Sequence, residues 1–355
     1  MRSQPPIKHD DFDGLIDNGV EAEEPSDQDL WFLAGPMEDE PNYLVPGIRA
    51  ESAETSILAD WTQAEAVLAA RLARVAARLG ALDERLRRGP EGWRHRLALI
   101  EAADLSWFAG DRVGADRLAL WMGLRLSGAQ EDTSALARVG WAVRRLSGGP
   151  GPETNLADFL DRRDPENNAD VIERFTDRAD NWLDLMRAAR NLHPITRACL
   201  GFHLWALAGL GQYGDRMEAA VTACRIAASE AKGAVFAPVA MGGAGGLRAG
   251  GTPAERFARW LDGMDNACLS AMRHLDDIEA WSKRAAIVMD ILSGRTPPAL
   301  RAALTEWPLV SAPMAEKLIG ASRAAVQRNL AWMEAHGLIR EVTGQGRFRM
   351  WCIST

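Results

Sequence analysis

Near the end of the chain, Gln327 and Arg328 stand between Ala324 and Ala331 in the stretch "ASRAAVQRNLAWMEAHG". A carboxamide and a guanidinium each carry paired hydrogen-bonding groups, the geometry that matches the edges of adenine and guanine in a major groove. For that chemistry both side chains must share one slim, outward helix face. At 100° per residue, Val326, Leu330 and Met333 fall on one side of a helix 323–336, with Asn329 at its edge. Ala324, Gln327, Arg328 and Ala331 point to the other side. Ser322 is placed as the N-cap, and Gly337 closes the helix. Lys317 and Arg323, nearer helix ends, are suited to phosphates.

The flanking residues supply the rest of a reading unit. After Pro297-Pro298, a helix 298–306 leads through Trp307-Pro308-Leu309-Val310 into a helix 312–319. Gly320-Ala321-Ser322 then makes the turn into 323–336. Ala315 and Gly320 are five apart rather than the common four, which suggests a turn one residue longer and leaves the direction of Lys317 open. Beyond Gly337, residues 338–342 and 348–353 run like short strands on either side of Thr343-Gly344-Gln345-Gly346-Arg347. Such a 343–347 wing would carry Arg347 and Arg349 to phosphates or a minor groove. Residues 293–355 therefore read as a winged helix-turn-helix with a small β-hairpin and double-stranded DNA as its partner. The competing reading is a non-catalytic interaction or scaffold protein whose winged helix mediates protein contacts or homodimerisation.

The chain as a whole is acidic, with a formal charge of −8. That charge is unevenly placed. Residues 1–40 hold twelve acids and two bases, a net −10, whereas residues 307–355 hold six bases and three acids, a net +3. Whole-chain charge is thus a poor guide to what the C-terminal unit can bind. Residues 1–54 read as an acidic, mostly disordered arm with one apolar knot, Leu30-Trp31-Phe32-Leu33. The arm is either a solubilising tail or a competitor for the basic head.

From Thr55 the pattern turns helical, and 55–292 reads as an α-helical bundle. Leu68, Leu72, Val75 and Leu79 recur at spacings of three and four until Gly89-Pro90 stops the first helix. Further helices are expected at about 92–109, 112–127, 132–147, 168–190, 194–211, 214–231, 253–272 and 274–293. Thr252-Pro253-Ala254-Glu255 has the form of a capping box. The fold class is mainly α.

The segment "PLVSAPMAEKLIGASRAAVQRNLAWMEAHGLIREVTGQGRFRMW" resembles the C-terminal helix-turn-helix of a family of uncharacterised alphaproteobacterial proteins, often plasmid-encoded. In that family a helical domain of unknown function precedes the DNA-binding unit. "ALDERLRRGPEGWRHRLALIEAADLSWFAGDRVGADRLAL" is similar to that preceding domain, more loosely. The resemblance implies DNA binding and brings no reaction with it.

Other candidate constellations are weaker. His193-Pro194 begins like the HPFxxGNGRxxR signature of Fic-domain AMP-transferases, but "HPITRACLGFHLW" lacks the glycines and arginines that hold phosphates. It reads as the start of a helix, with Pro194 in the first turn. Cys199 and His203 have the i, i+4 spacing of metal ligands but no second pair nearby, so they read as core. His274 and Asp277 read as the solvated start of a helix. The glycines of "MGGAGGLRAGG" lack the ending of a P-loop and read as a flexible connector. No catalytic residue, metal ligand or cofactor is therefore expected. With scattered cysteines, no apolar run of ~18 residues and no apolar leader, a cytoplasmic protein without membrane contact is the expectation.

Overall fold

The computed structural model describes residues 48–124, 132–162, 169–211, 216–344 and 348–354. The acidic arm through Gly47, with its 30–33 knot, and the wing residues Gln345, Gly346 and Arg347 lie outside them. Helix α1 (Ile48–Val67) begins ahead of Thr55, inside the stretch read as arm. Ala50, Glu51, Ala53 and Glu54 are good helix formers, and nothing there breaks a helix. A local departure at Leu68 (φ −102°, ψ 12°) separates α1 from α2 (Ala69–Arg88), where one helix was expected. The rod barely notices, since Leu72 N–H still donates to Leu68 O at 2.9 Å.

On α2, Leu72, Val75, Leu79, Leu82 and Leu86 are buried, the stripe that a three-and-four spacing makes. Then come α3 (Gly92–Ala109), α4 (Ala115–Leu124), α5 (Thr133–Ser147), the short α6 (Leu156–Phe159), α7 (Ala169–Ala188), α8 (Pro194–Leu204) and α9 (Arg216–Ala227). Helices α3 and α9 are apolar on most sides and pack against each other and against α5, while α8 lies on α9. α8 stops short of the expected residue 211 because Gly209, at φ +66°, turns the chain.

The largest departure is α10 (Pro253–Val288), one helix of 36 residues where two were expected. Its capping box is formed: Thr252 Oγ1 accepts from Glu255 N, and Glu255 accepts from Thr252 N at 2.8 Å. Phe257, Trp260, Met264, Ala267, Ala271, Leu275, Ile278, Trp281 and Ala285 are all buried, so the apolar stripe runs unbroken through 273. His274 is consequently mid-helix and half-buried, not a solvated helix start, and burial pushes its imidazole pKa down. Along α2, Arg71, Arg78 and Arg85 meet Asp262, Asp265 and Asp276 of α10 in the same order, so the two helices run parallel. These partly exposed pairs set register more than stability, each contributing roughly 0–1 kcal/mol.

The glycine-rich stretch is not a loose connector. Residues 244–247 form a 3-10 turn that presses on α10 so closely that a Cβ at Gly263 would come within 3.0 Å of Gly246 Cα. Two carboxylates hold the irregular chain leading into it. Asp83 accepts from the backbone N–H of Lys232, Gly233 and Ala234. The buried Glu101 accepts from Val239, Ala240 and Met241 at 2.8, 2.9 and 3.0 Å. Burial pushes the Glu101 carboxyl up to about 7, against the pull of those three donors.

After α10 come α11 (Thr296–Glu306), β1 (Val310–Ser311), α12 (Ala312–Ile319), α13 (Arg323–Ala335), β2 (Ile339–Glu341) and β3 (Met350–Ile353). The sheet has the order β1-β3-β2, antiparallel throughout, with Val310 opposite Trp351 and Ile339 opposite Ile353. Strand β1 adds to the expected hairpin. Residues 52–355 form one compact unit. Arg96, buried in α3, donates to the carbonyls of Leu304, Glu306 and Trp307 at the end of α11. Trp281 Nε1 donates to Leu338 O at 2.7 Å. Arg301 reaches Ser282 O at 2.9 Å.

Candidate nucleic-acid interface

Each helix of the C-terminal unit begins and ends on a local signal. Ser311 Oγ accepts from Met314 N at 3.3 Å, capping α12, and Gly320 in the left-handed region (φ +62°) ends it. Ser322 then caps α13, accepting from Ala325 N at 3.4 Å. The turn is Gly320-Ala321-Ser322, as the residue types suggested. Gly337 (φ +67°) redirects the chain into β2, with Leu338 N bonded back to Met333 O at 2.9 Å.

Val326, Leu330 and Met333 are completely buried, and Asn329 beside them donates Nδ2 to Ala325 O at 2.8 Å. Burying three such side chains stabilises the position of α13 by roughly 1.5–3 kcal/mol each. The opposite face carries Ala324, Gln327, Arg328 and Ala331, all exposed. Among the described residues, neither Gln327 nor Arg328 has a hydrogen-bond or ionic partner. Lys317 is exposed on the last turn of α12, which answers the question left by the long turn. Arg323 is also exposed and pairs loosely with Glu316 at 3.9 Å, an exposed contact that contributes roughly 0–1 kcal/mol.

The remaining bases divide differently. Arg349 is half-buried, bonded to both oxygens of Glu334 at 3.2 and 2.9 Å, with its guanidinium 4.9 Å from the centre of the Trp351 ring. Trp351 Nε1 donates to the same carboxylate at 3.2 Å, so this cluster clamps β3 to α13. Arg340 pairs with Asp116 of α4 at 2.9 Å, facing the helical body. Glu341 folds over the start of the wing and accepts from Thr343 N at 2.8 Å and Gly344 N at 3.1 Å. Arg347 lies outside the described residues.

Phe348 was expected to open the strand 348–353, but β3 begins only at Met350. Phe348 stands at the foot of the wing, 73% exposed and with φ +58°. A large apolar side chain held outward on left-handed backbone is a feature to explain. Its placement between Arg347 and Arg349 was the available signal.

The other candidates keep their core readings. His193 caps α8 through Nδ1, which accepts from Ile195 N at 3.1 Å, and Pro194 occupies its first turn. Cys199 and His203 are buried on α8, and all four cysteines are free. Among the described residues no helix is long and apolar enough to cross a membrane. No curated protein matches the chain. Residues 298–354, which span α11 to β3, match the family profile described as HTH DNA binding domain, so a helix-turn-helix DNA-binding domain follows the helical body.

Proposed function

We propose that the protein is a sequence-reading DNA-binding regulator, of transcription or of plasmid functions, that lays α13 in the major groove. The observation that carries this reading is the outer face of α13, where unpartnered Gln327 and Arg328 sit between two alanines. Small neighbours let the helix approach the base edges, and both long side chains are free to form bidentate contacts. Lys317, Ser322 and Arg323 cluster around the turn and would hold phosphates on one flank. Arg347 would do so from the wing, with Phe348 against the sugar edge. Arg349, spent on Glu334, acts in this reading by fixing β3 rather than by touching DNA. A homodimer would place two such helices on a two-fold-related site.

The test is selection of genomic fragments by the purified full-length protein, followed by titration of the enriched site across a salt series. Enrichment of a common sequence, with affinity falling steeply as salt rises, supports the reading. Association that ignores salt and DNA sequence would overturn it in favour of a protein-contact winged helix.

A further inference from the structure

The helical body holds a cleft that DNA reading does not use. It has a volume of about 540 Å³ and lies where the end of α8 meets α3, the start of α9 and the chain entering α10. Its walls are aromatic and aliphatic, from Phe108, Phe202, Trp205 and Leu247. The rings of Phe108 and Phe202 are 6.3 Å apart and tilted at 44°. Among the described residues, two polar groups in this wall, His203 Nε2 and Trp205 Nε1, have no hydrogen-bond partner, although His203 is only 9% exposed and Trp205 3%. Buried donors and acceptors ordinarily find partners, and these two stand on one wall, although the indole N–H groups of Trp93, Trp141 and Trp260 lack partners as well.

The rim is cationic. Arg216 and Arg248 line the cleft, and the Arg216 guanidinium lies 5.6 Å from the Phe108 ring centre. Burial, with the charges of Arg256 and Arg259 behind it, pushes the His203 imidazole down to about 4. Arg259 also donates to the carbonyls of Arg248 and Gly250, which fixes the strip of chain bearing Arg248. Among the described residues, Glu255 is engaged in the cap of α10 and Asp262 with Arg71. Two guanidiniums thus line an aromatic cleft, and two more act on His203 in its wall.

We propose that this cleft binds a small aromatic carboxylate, its ring between Phe108, Phe202 and Trp205 and its charge at Arg216 and Arg248. Clefts of a few hundred Å³ with apolar walls and few polar groups are typical of small-molecule sites. A guanidinium pair is the natural partner of a carboxylate. The assignment stands independently of the DNA reading.

The full-length protein is titrated with 1-anilinonaphthalene-8-sulfonate, an aromatic anion whose fluorescence reports burial, and the bound dye is competed with indole-3-acetate and with its neutral amide. The expected result is one saturable site per chain, displaced at least tenfold more readily by the acid than by the amide. The exposed positions allow variants that leave the core alone. R216Q combined with R248Q should weaken dye binding at least tenfold and erase the preference for acid over amide. A206W, placing a large ring at the exposed edge of the cleft, should remove binding with the melting temperature unchanged. Absence of saturable binding, or binding indifferent to A206W and to the arginine pair in folded proteins, would overturn the assignment.

Discussion

Replacing Arg96 tests how the DNA-binding unit is held. Arg96 is 5% exposed, and its guanidinium reaches three carbonyls, those of Leu304, Glu306 and Trp307. They belong to the end of α11, where helix carbonyls lack intrahelical partners. Burial lowers the Arg96 pKa to about 10, so the side chain is still cationic at neutral pH. Arg96→Met keeps the stem and removes every donor. Hydrogen bonds from a charged group contribute about 1.5–3 kcal/mol each, and three would give about 4–9 kcal/mol if they were additive. Methionine also relieves the cost of burying a guanidinium, which offsets part of that loss. A net destabilisation of about 2–4 kcal/mol is the expected outcome. Lysine should recover less than half, because one ammonium cannot span three carbonyls as a planar fork does. Urea unfolding followed by tryptophan fluorescence measures the change. Trp307 packs against His95 beside this joint, with ring centres 5.9 Å apart, and contributes to that signal together with the other tryptophans of the chain. A loss below 1 kcal/mol for Arg96→Met, with a single unaltered transition, would refute Arg96 as the tie between α3 and α11.

Gln327→Ala and Arg328→Ala should each cost about 1–3 kcal/mol on the selected site and much less on random duplex, measured by fluorescence anisotropy; equal losses on both would reduce them to backbone contacts. Phe348→Ala should leave stability within about 0.5 kcal/mol, as expected for an exposed side chain, while weakening binding to most sequences; unchanged affinity would leave Phe348 without a DNA role. His203 folds with its pKa lowered from 6.5 to about 4, so its contribution to stability is complete above pH 6.5 and is lost as pH falls toward 4. The wild type should lose about 3 kcal/mol more than His203→Gln between pH 7.5 and 4, read from urea midpoints; parallel losses would mean that His203 is not held neutral. Deleting residues 1–40 should tighten DNA binding at low salt, with the gain shrinking as salt rises, if the arm competes for the head; unaltered affinity would leave a solubilising tail.

What was legible in the sequence was local. Ser322, Gly337 and the Val326-Leu330-Met333 stripe define α13 within sixteen residues, so caps and face could be read directly. Strand β1 has only Val310 and Ser311, and it is a strand because Trp351 and Met350 pair with it from the far end of the unit. No periodicity exists in two residues. The polar run after Met272 suggested a new helix start, yet Leu275 and Ile278 continue the stripe begun at Phe257. In "GWRHRLAL", Arg96 looks like any helix arginine. Its burial is created by residues 304–307, more than two hundred positions away. The glycines of 242–251 suggested freedom because composition says nothing of Gly246 pressed on Gly263.

The charge of the head is sorted by this same tertiary structure. Six bases and three acids in residues 307–355 do not amount to a uniform surface of +3. Glu334 is neutralised by Arg349 between α13 and β3, and Glu341 is wrapped in the amides of the wing. Arg340 is turned to Asp116 on the body. Lys317, Arg323 and Arg328 are left outward, on the two helices that flank the turn. At physiological ionic strength charges separated by more than about 8 Å are largely screened, so a phosphate at this turn would respond to those three cations and to Glu316 beside Arg323 rather than to the formal −8 of the chain. An acidic protein can therefore present a basic reading edge where the bases around that edge outnumber the acids beside them, here Lys317, Arg323 and Arg328 against Glu316.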